Sequence, residues 1–184
     1  SQKNKETAMS ITISSPLPDC MERARHLYIE SFPPEERRPW QQIAKPADGT
    51  GPQMLMIADS AGEFAGFITT WHFPAFTYVE HFAIEPERRG TGIGGEAIAQ
   101  LVSRENLPVV LEVERPDPQL PLTERRIRFY ARHGFKILPY NYIQPPYSRE
   151  LPEVPLMLMS TSSSLDPEEV SRTLHREVYG VGRF

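Results

Sequence analysis

Residues Glu80-His-Phe-Ala-Ile84 and Glu85-Pro-Glu-Arg-Arg-Gly-Thr-Gly-Ile-Gly-Gly95, with the apolar-periodic run behind them, decide how this chain reads. A short strand runs to Ile84. Pro86 ends it, because proline has no N–H to give to a sheet ladder. Two arginines follow, then a glycine run that opens a helix. Gly90, Gly92, Gly94 and Gly95 let backbone N–H groups crowd around a phosphate with no side chain in the way. The helix N-terminus adds its orphan donors and the positive end of its dipole. Arg88 and Arg89 bring fixed positive charge to the same place. The stretch predicts a site for a pyrophosphate-bearing cofactor.

Two cofactors fit the spacing. Read literally, Gly90-Thr91-Gly92-Ile93-Gly94-Gly95 satisfies G-x-G-x-x-G, and Glu112 lies about 20 residues on, where a ribose-binding carboxylate would sit. That reading makes the chain an NAD(P)-binding oxidoreductase. Against it, Glu85-Pro-Glu-Arg-Arg89 separates the strand from the first glycine, and the unit sits mid-chain after several earlier strands. The same residues also read as Arg89-x-x-Gly92-x-Gly94. Downstream come Leu111-Glu-Val-Glu114 and then Phe129-Tyr-Ala-Arg-His-Gly-Phe135. These three signatures, in this order, resemble the GNAT superfamily of acetyl-CoA-dependent N-acetyltransferases, with some likeness to its ribosomal-protein N-terminal acetyltransferase branch.

Composition fits one soluble domain. The chain has 184 residues, 39% hydrophobic and 24% charged, enough for a single sizeable core. No run of 18 apolar residues is present, so no membrane partner is expected. A net charge of −4 disfavours nucleic-acid binding, which needs a basic face. The single cysteine, Cys20, excludes an internal disulfide and fits a reducing cytoplasm. Cys and His spacings of metal sites are absent. Residues 1–9 read as a disordered leader, with Met9 an alternative start.

Along the chain, strands are predicted over 10–14, 54–58, 63–71, 77–84, 109–113, 135–142 and 155–160. Asp19 and Glu22 have capping-box spacing before a first helix. A second short helix is expected over 34–44, and residues 46–52 form a loop. The helix behind the glycines spans about 92–104, with Ile93, Ala97, Ile98, Leu101 and Val102 on one face. The next opens at Thr123, with Leu122 and Ile127 at the spacing of a hydrophobic staple, and closes at Gly134. Asp166-Pro-Glu-Glu169 starts a last helix with Val170, Leu174 and Val178 on one face. The expectation is an α/β domain over 10–162 with a helical extension over 163–184 that packs on the domain or makes a homodimer contact.

The resemblance implies a GNAT-like mixed, mostly antiparallel twisted central sheet of about six or seven strands flanked by helices. It implies acetyl-CoA as co-substrate, and an acetyl group moved by direct attack in a ternary complex to a primary amine on a small molecule, peptide or protein. Phe82, Ala83 and Ile84 would offer main-chain groups to the pantetheine arm, and Arg89, Gly90, Thr91, Gly92, Ile93, Gly94 and Gly95 would hold the pyrophosphate. Tyr130 falls at the family's general-acid tyrosine, and Glu112 at the base of the ribosomal branch, with Glu80 on the neighbouring strand as second candidate. Strand alternation puts Tyr78, Glu80, Phe82 and Ile84 on one face and His81 on the other. Tyr28, Trp40 and Tyr147 would contact the acceptor, while Glu35 to Arg38 also read as a solvated charged turn. The proline-rich segment Arg115-Pro-Asp-Pro-Gln-Leu-Pro121 departs from the family. It would shape the adenosine end of the cofactor site or a wall of the acceptor site. A non-catalytic acyl-CoA-binding or regulatory module is the alternative of a different class.

Overall fold

In a computed structural model of the protein, residues 11–45 and 51–182 are described, so the leader read at 1–9 lies outside them. The Asp59 carboxylate accepts from the N–H groups of Ala61 and Glu63, both at 2.9 Å. This Asx closure turns the chain between β2 (Gln53–Ala58) and β3 (Phe64–His72). β1 (Thr12–Ser14) precedes them, and β4 (Thr77–Ile84), β5 (Val109–Glu114), β6 (Lys136–Leu138), β7 (Ile143–Gln144) and β8 (Val154–Ser160) follow. The sheet runs β1-β2-β3-β4-β5-β8-β6, with β7 also on β8. Among the described residues only β4 and β5 are parallel, joined by the crossover helix α3 (Ile93–Arg104), as a parallel pair requires. The mixed, mostly antiparallel sheet is the predicted one. Its eight strands exceed the expected number because the stretch 135–142 does not form one strand: Pro139, with no N–H, parts β6 from β7.

Helices cover both faces. One face carries α3 and α4 (Pro121–Arg132), with Ile93, Ala97, Ile98 and Leu101 packed on Ile57, Ile68, Val79, Leu111 and Val113. On the other, α1 (Met21–Ser31) and α2 (Trp40–Ala44) cover β2 and β3 through Ala24, Leu27, Tyr28 and Ile43. There α5 (Pro167–Thr173) runs into a π turn over Leu174–Val178. The Asp166 carboxylate caps it, accepting from Glu168 N–H at 3.0 Å. Val170, Leu174 and Val178 are buried with Tyr78, Val110, Leu156 and Leu158. Of the two expected uses of the last helix, its apolar face serves packing within the chain.

Three local expectations are corrected. The first helix begins at Met21 behind a 3-10 turn, with no side-chain cap at Cys20. α4 starts with Pro121 at its first position, and Leu122 is exposed, so there is no staple to Ile127. The Thr123 hydroxyl instead closes the preceding turn, donating to Leu120 C=O at 2.8 Å and accepting from Asp117 N–H at 2.9 Å. The helix expected over 34–44 is broken. A 3-10 turn over Pro34–Glu36 is followed by extended Arg37, and only then by α2. Pro39 disfavours helical geometry at the residue before it, and the break turns Arg38 inward, where it is buried.

A further correction falls on β4. Thr69 pairs with His81 but Thr70 with Val79, so Glu80 is an extra residue in a β-bulge. A bulge shifts every later side chain to the opposite face. Phe82 and Ile84 therefore pack on the α3 side, and His81 lies on the α1 side, edge-on to Tyr28 and Phe32 at 4.9 and 4.7 Å. Opposite this stretch, a Cβ on Gly66 would stand 2.3 Å from Ala83 C=O. Only glycine lets β3 approach there.

Candidate active site

β4 and β5 pair at Thr77–Val109, Tyr78–Val110 and Val79–Leu111, and then part. β4 stays with β3 to Ile84, and β5 with β8 to Glu114, so two strand edges face each other with nothing hydrogen-bonded between them. The first residues past the split are Glu80 and Glu112. A cleft of about 1020 Å³ runs through it, lined by residues of β4, β5, the glycine turn and α4.

One end of the cleft is built for an anion. Gly90 and Gly92 have φ of +78° and +88°, the left-handed region that side chains resist, and a Cβ on either would meet nothing within 4 Å. The turn is thus glycine for conformation, and open above. Gly92 is the N-cap of α3, whose first-turn N–H groups have no carbonyl within the helix. Arg88, Arg89, Arg132 and His133 line the same cleft; Arg132, the last residue of α4, and His133, which caps it, were missed in the sequence. Arg88 is ion-paired with Asp59, and Arg89 Nε donates to Ile84 C=O at 3.0 Å. Phe82, Ala83, Ile84, Gly90, Gly92, Gly94 and Gly95 also line the cleft, whereas Ile93 is in the core and Thr91 turns its hydroxyl onto Arg88 C=O at 2.5 Å. This cradle fits a pyrophosphate. Gly92→Ala should cost about 1–2 kcal/mol for a left-handed side chain, lowering the melting midpoint by a few degrees and weakening binding of an anionic cofactor. Unchanged binding in a titration calorimeter would count against the cradle.

The other end carries carboxylates. Glu112 accepts from the Tyr78 hydroxyl, from Tyr142 Oη at 2.5 Å and from Tyr179 Oη at 2.7 and 3.0 Å. Burial raises its proton affinity, and the three hydroxyls pull it partly back. Glu80 accepts from Arg38 Nε at 2.9 and 3.1 Å and Nη2 at 2.8 Å, from Trp71 Nε1 at 2.8 Å and from Tyr147 Oη at 2.7 Å. Burial pushes the Glu80 pKa up, but Arg38 outweighs it and holds the carboxyl below the usual range. Glu36 and Glu114 line the cleft too. The Glu36 pKa is pushed up to about 7, by burial first and Glu114 second. Glu36 and Arg38 are therefore not members of a solvated turn.

Tyr130 and Tyr147 line the cleft. Burial pushes the Tyr130 pKa up to about 12, so its hydroxyl keeps its proton at neutral pH. Tyr28 and Trp40 are not brought to the cleft. Tyr28 is buried, its hydroxyl donating to Arg38 C=O at 2.9 Å and accepting from Arg38 N–H at 2.7 Å, and Trp40 packs on its ring at 5.6 Å. Both hold the 32–40 segment. His81 is fixed by Nε2–H donating to Glu36 C=O at 2.8 Å, and burial lowers its pKa, so it is neutral. Arg115 donates to Leu156 C=O, Tyr142 C=O and Asn141 Oδ1 at 3.2, 3.0 and 2.8 Å. The 115–121 segment thus walls a second hollow of about 570 Å³ with Pro33, Glu35 and Glu36, on the carboxylate side rather than at the glycine turn.

A sheet split beside a helix start open to an anion suits an acyl-CoA-dependent transferase. The sequence profile of the Acetyltransferase (GNAT) family matches residues 18–135, and the chain belongs to that family. A protein from Bacteroides thetaiotaomicron described as a GNAT-family acetyltransferase is 36% identical, covering 92% of this chain and 99% of its own, with a TM-score of 0.81. YjbC of Bacillus subtilis (strain 168), described as an acetyltransferase, is 42% identical over 64 residues, 35% of this chain and 33% of its own. This match thus spans about a third of YjbC's length. The ribosomal-protein-S18-alanine N-acetyltransferase of Escherichia coli shares the fold, with a TM-score of 0.55 and 19% identity over 85% of this chain and 96% of that one. The protein is an acyltransferase, and the family's acyl donor is acetyl-CoA. Among the described residues no helix is long and apolar enough to cross a membrane.

Proposed function

We propose that the protein transfers an acetyl group to a primary amine, on a small molecule, peptide or protein, by direct attack in a ternary complex. The observation that carries this reading is the charge layout of one cleft: arginines and open N–H groups at the glycine turn, carboxylates at the far side of the strand split, and a protonated phenol on its wall. An anionic cofactor tail suits the first end and a cationic amine the second. Acetyl-CoA supplies the activated acyl group. The chain's residues then divide the proton work. Glu112 takes the ammonium proton and so frees the nitrogen lone pair. Tyr130 donates its proton to the departing thiolate. Phe82, Ala83 and Ile84, on the unpaired edge of β4, hold the pantetheine arm, and Tyr147 borders the acceptor. Glu80 anchors Arg38, because a carboxylate held ionised by a guanidinium is a poor proton acceptor.

Thermal unfolding with acetyl-CoA, CoA, NAD and NADP tests the donor. Acetyl-CoA and CoA should raise the midpoint, with about 2.7 kcal/mol added at a hundred times the dissociation constant, and the dinucleotides should not. Free-thiol release across a panel of diamines, amino acids and peptides then tests transfer. Binding with no turnover on any amine would favour a regulatory acyl-CoA-binding module.

A further inference from the structure

The hydroxyls on Glu112 come from β4 (Tyr78), the β6–β7 link (Tyr142) and the residue after the π turn (Tyr179). Two of the three lie beyond residue 135, where the family match ends. Each phenol has one proton, and a carboxylate has about four lone-pair positions. Tyr179 shares its proton between the two oxygens, at 2.7 and 3.0 Å. Tyr78 thus meets one oxygen, Tyr142 the other and Tyr179 bridges the two, on a carboxylate that lines the cleft.

The π turn sets this arrangement. Tyr179 N–H donates to Leu174 C=O at 3.1 Å, a wider closure than an α-turn and one that recurs at functional sites. With the Val178 side chain buried, its carbonyl accepts from Arg38 Nη2 at 3.0 Å, and the next residue reaches Glu112. One turn thus touches the Glu80–Arg38 pair and Glu112 together. Tyr78 and Tyr142 are fully buried. Tyr179 is half-buried, its ring 5.1 Å from that of Tyr147, and it is the donor that meets both carboxylate oxygens.

Resting on the reading of Glu112 as base, we propose that Tyr179 is a positioning residue of the active site, whose hydroxyl fixes the orientation and proton affinity of Glu112. The C-terminal segment is then part of the acyl-transfer machinery. Removing a donor from an ionised carboxylate makes protonation easier, so the Glu112 pKa rises in Tyr179→Phe, by about one unit for a hydrogen bond to a charged group.

The test uses the full chain with 13C-labelled glutamate carboxyls, which needs no acceptor, alongside pH–rate profiles on an amine from the panel. The Glu112 resonance is identified by its loss in Glu112→Gln. In Tyr179→Phe it should titrate about one pH unit higher. The acid limb of kcat/KM should move by the same amount, kcat/KM below that limb should fall about tenfold, and acetyl-CoA binding should be unchanged. In a Glu112→Gln background, Tyr179→Phe should cost nothing more. Val178→Ala is the control, loosening the helix without removing the hydroxyl: it should lower the melting midpoint but leave the titration in place. An unmoved Glu112 titration in Tyr179→Phe, or an equal shift in Val178→Ala, overturns the proposal. A wild-type rate in Glu112→Gln overturns the base assignment separately, while the titration still decides whether Tyr179 governs Glu112.

Discussion

Arg38→Met should destabilise the protein by about 3–5 kcal/mol, the usual consequence of leaving a buried carboxylate without its counter-ion. The side chains of Arg38 and Glu80 are 7% and 1% exposed, so water can compensate neither. For a chain of this size the loss lowers the melting midpoint by on the order of 10 °C. The sign of its pH dependence follows from Glu80. In the native protein its carboxyl is held below the usual range, so its contribution is full above the ordinary carboxylate pKa and is lost as pH falls through the native value. In Arg38→Met burial dominates, the Glu80 pKa rises, and the penalty is relieved in acid. The gap between wild type and variant should therefore narrow as pH is lowered from 7 toward 4. Adding Glu80→Gln should recover much of the loss, since the amide carries no charge and keeps an acceptor for Trp71 and Tyr147. A loss under about 1 kcal/mol at pH 7 would mean that water reaches the pair.

Glu112→Gln should lower kcat/KM by about 10²–10⁴, the range that a positioned general base contributes, while the stabilisation by acetyl-CoA is retained. Glutamine keeps the shape and a carbonyl for the tyrosines but cannot take the ammonium proton. The Glu112 pKa is raised by burial, so the wild-type rate should climb with pH through a value above the ordinary carboxylate range, and this limb should vanish in the variant. A variant that keeps both rate and limb would remove Glu112 from the chemistry and direct attention to a water-mediated base.

Both predictions concern residues on β4, β5 and the 37–40 segment, and these differ in how far the sequence announced them. Glu112 was legible because Leu111-Glu-Val-Glu114 alternates cleanly and stands between two stronger motifs. Glu80 was legible as a neighbour, but not its tie to Arg38, because Glu35-Glu-Arg-Arg38 has the look of any solvated charged turn. Tyr78, Tyr142 and Tyr179 gave no signal as a group, being 64 and 37 residues apart in the chain. A faint one existed: the buried face Val170, Leu174, Val178 required the last helix to pack, and Tyr179 follows it directly.

The sequence by itself determined what depends on local chemistry. Gly90 and Gly92 set a left-handed turn, Pro86 ended a strand, α3 followed at helical spacing, and Asp166 capped α5. Each is a relation between residues close along the chain, where backbone sterics and capping decide. Only the tertiary structure decided which groups are desolvated together. The bulge at Glu80 reversed the faces of β4, because register is a property of two strands. Pro39 turned Arg38 into the core, where the partner it meets lies 42 residues on. Tyr179 came to Glu112 from 67 residues away. Burial and pairing of charges are set by what folds against them, and that is not written in any one stretch of the chain.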